Sequence, residues 1–403
     1  MPSSPRLLPL CAAVLLFSAA SVKAQSPTLL RLSNPAAQER LTVDSAGAVL
    51  MRGALDVGAV QNPGAGTMLM WYPRKAAFRA GDVNGTQWND ASVGYYSTAL
   101  GASTTASGVA STAVGHSTAS GDYATAMGSS VASGNYSAAM GAGTTASGGA
   151  STSTGYSTIA SGNYSTAMGA GTTASGQYST ALGYSTTASG QYSTAIGHAS
   201  TASGSNSTAI GSYASTNGHA GSFVYGDNST ATLLTATAVN QFSVRAAGGV
   251  RFFTNSTMTL GALLSPNAGS WSTLSDRNAK AEFLAVDGED LLGRIRQVPV
   301  STWIYRAQPD RGVRHIGPMA QDWERALGLS GDSLTINQGD FDGVNLAAAQ
   351  ALLARTDRLQ AENTAQAERI SALETENAAL RRGVAQLADR LDRLERTRSA
   401  TPR

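Results

Sequence analysis

Charge is what this sequence has least of. Of its 403 residues 13% are charged, and between Tyr95 and Gly226 there is one charged side chain, Asp122. A net charge of +2 spread this thinly gives no electrostatic footing for a nucleic acid, so no nucleic-acid partner is expected. The single cysteine, Cys11, excludes an internal disulfide framework. Three histidines, His116, His198 and His219, are scattered singly through low-charge sequence and read as surface residues rather than metal ligands. No metal and no cofactor is implied. The longest apolar stretch, Leu7 to Ala20, is too short and too near the end for a comfortable membrane span.

That stretch does fit a secretory signal over residues 1–24, with Arg6 before it and the small-residue site Val22-Lys23-Ala24 after it. The expected localisation is therefore secreted, extracellular or at the cell surface after bacterial export. Cys11 lies inside the apolar run instead of after it, which is the wrong place for lipid attachment. Residues 25–94 form an N-terminal β module. Short alternating runs between Leu29 and Met51 read as strands, and the aromatic patch Met68 to Pro73 with Phe78 and Trp88 reads as a packed cap.

What the chain has in abundance is glycine, 44 residues, and repetition. Over residues 95–226 the phrase Tyr-Ser-Thr-Ala-(Leu/Met/Ile)-Gly returns with glycines at 101, 115, 128, 141, 155, 169, 183, 197 and 211, and a half-turn Thr-Ala-Ser-Gly falls between them. A disordered chain does not hold an apolar residue at one phase of a fixed period. A solenoid of short strands joined at glycine corners does, and nine turns at ~4.8 Å make a rod about 40 Å long. The inward residue of each turn is read as the Leu, Met, Ile or Val, with Ala beside it. One coil of this kind buries little, so side-by-side association of three coils is the expected source of stability.

The repeat resembles the heads of YadA-type trimeric adhesins, which implies a left-handed parallel β-roll and a homotrimer. Nothing after residue 346 alternates like the strands of a membrane-anchor barrel. Tyr123, Tyr136, Tyr164, Tyr178 and Tyr192 share one phase and are expected to stack in a column, either as a packing ladder or as a glycan-binding strip.

Residues 227–274 read as a β connector. Within it Asn240 to Arg245 and Gly249 to Phe253 alternate like two strands paired around Gly248-Gly249, and a Pro/Gly/Ser/Asn loop then leads to Leu274. From Ser275 the composition becomes that of an ordinary globular domain, over 275–345. Val298 to Tyr305 reads as a strand, Arg314 to Pro318 as a strand and turn, and Met319 to Leu327 as a short helix. Over 346–403, leucines at 352, 359, 373, 380, 387 and 394 and the alternating core positions Ile370, Val384 and Leu391 define a coiled coil of about six heptads from Leu346 to Arg396. Asn363, Gln366 and Asn377 at core positions would fix its register.

On its own, Ser275-Asp276 ahead of a basic residue reads as a helix cap or a turn. The ordered set of motifs changes that reading: Ser275-Asp276 with Lys280, then Pro299-Val300-Ser301-Thr302-Trp303 with Tyr305, then Arg314 to Asp322, then Asp342-Gly343-Val344 before the long helix. Together they resemble the C-terminal intramolecular chaperone domain of phage endosialidase tail spikes. That resemblance implies a small α+β domain that trimerises, guides folding of the β-structure upstream and removes itself by cutting between Leu274 and Ser275. It assigns Ser275 as nucleophile and Lys280 as general base, with Asp276 and His315 in supporting places. The chain departs from the pattern at Ala279 and Glu282, and a carboxylate near Lys280 would favour the charged, inactive amine. Two alternatives stay open beside a single-turnover serine autopeptidase: a non-cleaving fibre that keeps its trimeric foot, and a glycan-binding head.

Overall fold

The computed structural model describes residues 28–58, 62–307, 312–329 and 331–399. The expected signal segment, its cleavage site and Cys11 lie outside the described residues. The chain divides into two compact units, Met1–Gly249 and Val250–Arg403.

The first unit is mainly a parallel β-solenoid. Most turns contribute a strand of about five residues, such as Thr180–Tyr184, and a two-residue strand, such as Thr187–Ala188; in Thr125–Ala132 and Ala138–Ala146 the two run together as one strand. Successive turns pair in parallel: Thr166, Thr180, Thr194 and Thr208 are in register, as are Gly169, Gly183, Gly197 and Gly211, while the pairing of Thr125–Ala132 with Ala138–Ala146 shifts by one residue at Gly143. The glycines are required by how closely the turns approach. Gly183 has φ +121°, and a Cβ on it would lie 2.1 Å from the carbonyl oxygen of Gly197. Gly190, at the other corner, would meet Gly204 O at 2.1 Å.

The inside of the coil is not what the periodicity suggests. Ala167, Ala181, Ala195 and Ala209 point inward from the long strands, and Ala160, Ala174, Ala188 and Ala202 from the short ones, all fully buried. The larger residues beside them point out: Met168 is 43% exposed, and Leu182, Ile196 and Ile210 are half-buried. Thr-Ala-Met alternates across the sheet with period two, so only one of Ala and Met can face in. A 14-residue coil has room for the methyl group and not for the longer chain. The outward Leu/Met/Ile residues form an apolar column along the outside of the coil.

Both ends of the solenoid are closed by larger side chains. At the start, strand Gly66–Tyr72 pairs antiparallel with Ala77–Val83, and the latter pairs in parallel with Thr98–Ala102. Fully buried Arg79 donates from Nη1 to Ser97 O at 2.8 Å and from Nη2 to Ser97 Oγ at 2.7 Å and Ala106 O at 3.0 Å. Burial pushes its guanidinium down to about 10. Trp88, also buried, donates from Nε1 to Thr104 O at 3.1 Å. Before this cap lies a three-stranded antiparallel sheet, Thr28–Ser33, Glu39–Asp44 and Val49–Met51.

At the other end Phe242–Arg245 is not a hairpin partner of Val250–Phe253. It pairs in parallel with Phe223–Gly226 as the last rung of the solenoid, and Val250–Phe253 pairs antiparallel with Gly261–Leu264 in the second unit. Arg245 explains the choice. Its Nε donates to Asp227 Oδ1 at 2.9 Å, and Nη2 donates to Asp227 O at 2.9 Å and Ser212 O at 3.2 Å, which ties the last turns together.

The second unit begins with the sheet Val250–Phe253, Gly261–Leu264 and Ser272–Thr273. After Ser275 come α1 (Gly288–Ile295), the antiparallel pair Val300–Trp303 and His315–Pro318, α2 (Ala320–Leu327) and α3 (Gln338–Ser399). Asp287 caps α1, accepting from Glu289 N and Asp290 N; Gly328 ends α2 in the left-handed conformation. Leu291, Trp323, Leu327 and Val344 form the small core. The long helix thus starts eight residues before the expected Leu346, because Phe341, Val344 and Ala347 on its first turns pack into that core. Arg355 and Arg358 bind Glu289 of α1, and the first of these bonds draws the Glu289 carboxyl below its ordinary value. Beyond, the heptad side chains from Leu352 to Leu394 are exposed.

Candidate active site

Leu274 follows the edge strand Ser272–Thr273, and its N–H donates to Gly261 O at 3.2 Å. The residue before the expected cut is therefore held by the upstream sheet. Ser275 leaves that sheet, and the chain at once makes a single 3-10 turn, Arg277–Ala279. Asp276 caps this turn, its carboxylate accepting from Asn278 N at 2.9 Å and from Asn278 Nδ2 at 3.1 Å. The cap fixes the direction in which the chain folds back. Lys280, at the end of the turn, places Nζ 2.6 Å from Ser275 Oγ. The cap and the contact share one short loop: Asp276 turns the chain, and the turn brings Lys280 to Ser275.

The two dyad side chains are exposed in the single chain. Lysine can take a hydroxyl proton only as the neutral amine, and desolvation is the usual way to favour that form. Glu282 is close in sequence but makes no ion pair with Lys280 among the described residues; the backbone there adopts φ +56°. Beyond the turn, Arg277 lies over the ring of Phe283 at 5.2 Å.

His315 belongs to a separate cluster. Its ring stacks on Trp303 at 4.7 Å and meets Tyr305 edge-on at 5.2 Å. No described hydrogen bond joins it to Ser275 or Lys280, so the structure brings together Ser275, Asp276 and Lys280 and leaves His315 in the two-stranded sheet. Asn278 was not singled out from the sequence, although an Asn two residues after Asp at a helix start is a recognisable turn signal. Among the described residues no group of His, Cys, Asp and Glu is arranged to hold a metal ion.

In the solenoid, the tyrosines form the expected column but with a break. Tyr123 and Tyr136 stack at 4.9 Å, and Tyr164, Tyr178 and Tyr192 stack at 4.9 and 5.0 Å with planes within 4° of parallel. Rings stacked this way cover one another's faces and show solvent their edges. A second, shorter row has His198 stacked on Tyr184 at 5.5 Å.

The first unit is thus mainly a parallel β-solenoid, and the second holds a small α+β module and a long helix. Residues 92–118, 116–130, 160–186 and 188–214 match the YadA head domain repeat, and residues 275–330 match the family described as chaperone of endosialidase. The chain thus carries adhesin head repeats and, after them, an endosialidase-type chaperone segment whose first residue is Ser275. No curated protein matches this chain. No helix among the described residues is long and apolar enough to cross a membrane.

Proposed function

We propose that this protein is an exported, homotrimeric adhesin-like fibre whose C-terminal module aligns three chains for folding and then leaves by cutting the Leu274–Ser275 bond. The observation that carries the reading is the 2.6 Å contact between Lys280 Nζ and Ser275 Oγ, at the first residue of the chaperone segment. In that reading residues 95–226 are the head, 227–274 the connector that stays with it, 275–345 the chaperone and 346–403 the coiled coil.

The chemistry balances as an acyl shift followed by hydrolysis. Ser275 Oγ attacks the Leu274 carbonyl carbon while its proton passes to neutral Lys280 Nζ. The C–N bond then breaks, the lysine returns the proton to the Ser275 nitrogen, and an ester links Leu274 to Ser275 Oγ. Water hydrolyses the ester, which leaves a carboxylate on Leu274 and a free amine and hydroxyl on Ser275. Attack by a hydroxyl on its own preceding carbonyl needs no second chain. A dry site for Lys280 does need one, since the amine is exposed in the single chain. Cleavage then follows assembly and happens once per chain.

Near-identical turns explain why such a helper is needed. Three rods of this sequence could align one turn out of step at little energetic difference, and parallel non-local pairing is slow. The polar core positions Asn363, Gln366 and Asn377 of α3 set one alignment. Expression of the full chain and electrophoresis tests the proposal. A 129-residue C-terminal fragment (403 − 274) beginning at Ser275 is expected, and it is absent in Ser275→Ala. A wild-type trimer that remains full length would reduce the module to a retained foot.

A further inference from the structure

One turn of the solenoid departs from the rest. Residues 148–161 replace the inward Ala by Ser153, the outward Leu/Met by Thr154, and the Asn-Tyr or Gln-Tyr corner by Gly149-Ala150. The YadA head repeat matches skip this region, from 131 to 159, yet the strand Thr152–Tyr156 pairs in parallel with both its neighbours without a register shift.

Ala150 occupies a tyrosine's place. It has φ +52°, against +59° for both Tyr136 and Tyr164, and its N–H donates to the same position of the preceding turn (Asn135 O, 2.7 Å) as theirs do. The tyrosine column therefore has a missing rung. With turns repeating at ~4.9 Å, Tyr136 and Tyr164 stand about 10 Å apart across Ala150. Each has one face covered by its own ladder neighbour and the other turned to the gap. Exposure follows: Tyr178, stacked on both sides, is 43% exposed, whereas Tyr136 is 66% exposed. At Ala110, the other alanine in the column, the upper neighbour Tyr96 packs tilted against Tyr95, so only Ala150 lies between two ladders.

We infer that this gap is a binding slot for one neutral pyranose ring of a glycan, held between the faces of Tyr136 and Tyr164. Two ring faces meet the C–H faces of a sugar, and the thickness available is that of one rung. The rim is polar and uncharged. Asn163, the residue before Tyr164, accepts at Oδ1 from Gly149 N at 2.8 Å, which leaves its amide hydrogens for a sugar hydroxyl. Asn135 is held likewise, accepting from Asp122 N at 3.1 Å. A pyranose has apolar faces and a hydroxyl edge, which matches this arrangement better than an aromatic side chain, whose edge is apolar. The continuous stretch through Tyr178 offers ring edges alone and is not part of the slot. The inference deepens the adhesin-like reading, resting only on a folded head and not on cleavage.

The test is binding of the full chain to a printed array of neutral oligosaccharides, followed by titration with the strongest one. Ala150→Tyr restores the rung at a backbone angle that tyrosine already adopts elsewhere in the column, and should weaken binding about tenfold or more. Tyr164→Ala should do the same, while Tyr178→Phe leaves binding unchanged. Circular dichroism and sedimentation of each variant separate a filled slot from a lost rod. No neutral glycan bound by an intact rod, binding indifferent to Ala150→Tyr, or binding of free indole in preference to every sugar would each overturn the inference.

Discussion

Lys280 Nζ meets Ser275 Oγ across one turn of 3-10 helix whose cap is Asp276, the residue next to Ser275. The contact is thus built by local chain geometry, and in the proposed function it is assembly that would dry its surroundings. Lys280→Arg should stop cleavage altogether, because a guanidinium does not give up its proton. Asp276→Ala should slow it by about tenfold through loss of the cap, with Asp276→Asn retaining most of the rate. The appearance of the fragment on a gel over time checks all three.

Among the described residues no ion pair joins Glu282 to Lys280, so Glu282→Gln should change the cleavage rate by no more than a few-fold, about 0–1 kcal/mol in barrier terms for an exposed neighbouring charge. A much larger acceleration would show that the two side chains meet in the assembled form.

Arg79 plugs the first turn with four donated hydrogen bonds. Arg79→Ala should destabilise the head by on the order of 3 kcal/mol, from the lost packing and the carbonyls it leaves under-satisfied. Arg79→Lys should recover little, since one ammonium cannot reach the same fork of acceptors. Thermal unfolding followed by far-UV circular dichroism measures both.

Asp227 closes the other end. A hydrogen bond from Ser229, then one from Ala247 N and the Arg245 contact, hold its carboxyl well below the ordinary 3.8. A depressed folded value means that folding favours the ionised form. The stabilisation is complete at pH values above 3.8 and is lost as the pH falls below it towards the folded value. Asp227→Asn should therefore lower the melting temperature at pH 7 and remove the acid sensitivity, a difference visible in melts taken across that range.

Gly183→Ala sets a Cβ against Gly197 O and should disrupt the stack by several kcal/mol, roughly the cost of a strained backbone plus a clash. Gly248→Ala, where a Cβ meets nothing, serves as the control. Protease resistance of the head distinguishes them.

Much of this was readable without coordinates. The column of glycines from 101 to 211 implied stacked turns, and the apolar spacing from Leu352 to Leu394 implied a long helix, because both follow from fixed periods. That Lys280 would reach Ser275 was readable from a spacing of five together with the ordered motifs behind it. The direction of the solenoid's side chains was not. A small residue, nearly always Ala, stands beside a larger one such as Met, Leu or Ile in most long strands, and either could face inward until the width of the coil admitted only the methyl group.

The sequence by itself determined the repeat and the change of composition at Ser275, since periodicity and residue type survive any arrangement of the chain. Tertiary structure alone decided that Phe242–Arg245 completes the solenoid and that His315 stands apart from the dyad. It also decided that one absent tyrosine leaves a gap between two ring faces. Each of these depends on which backbone groups find partners across many residues, and pairing over that distance is settled by packing rather than by local preference.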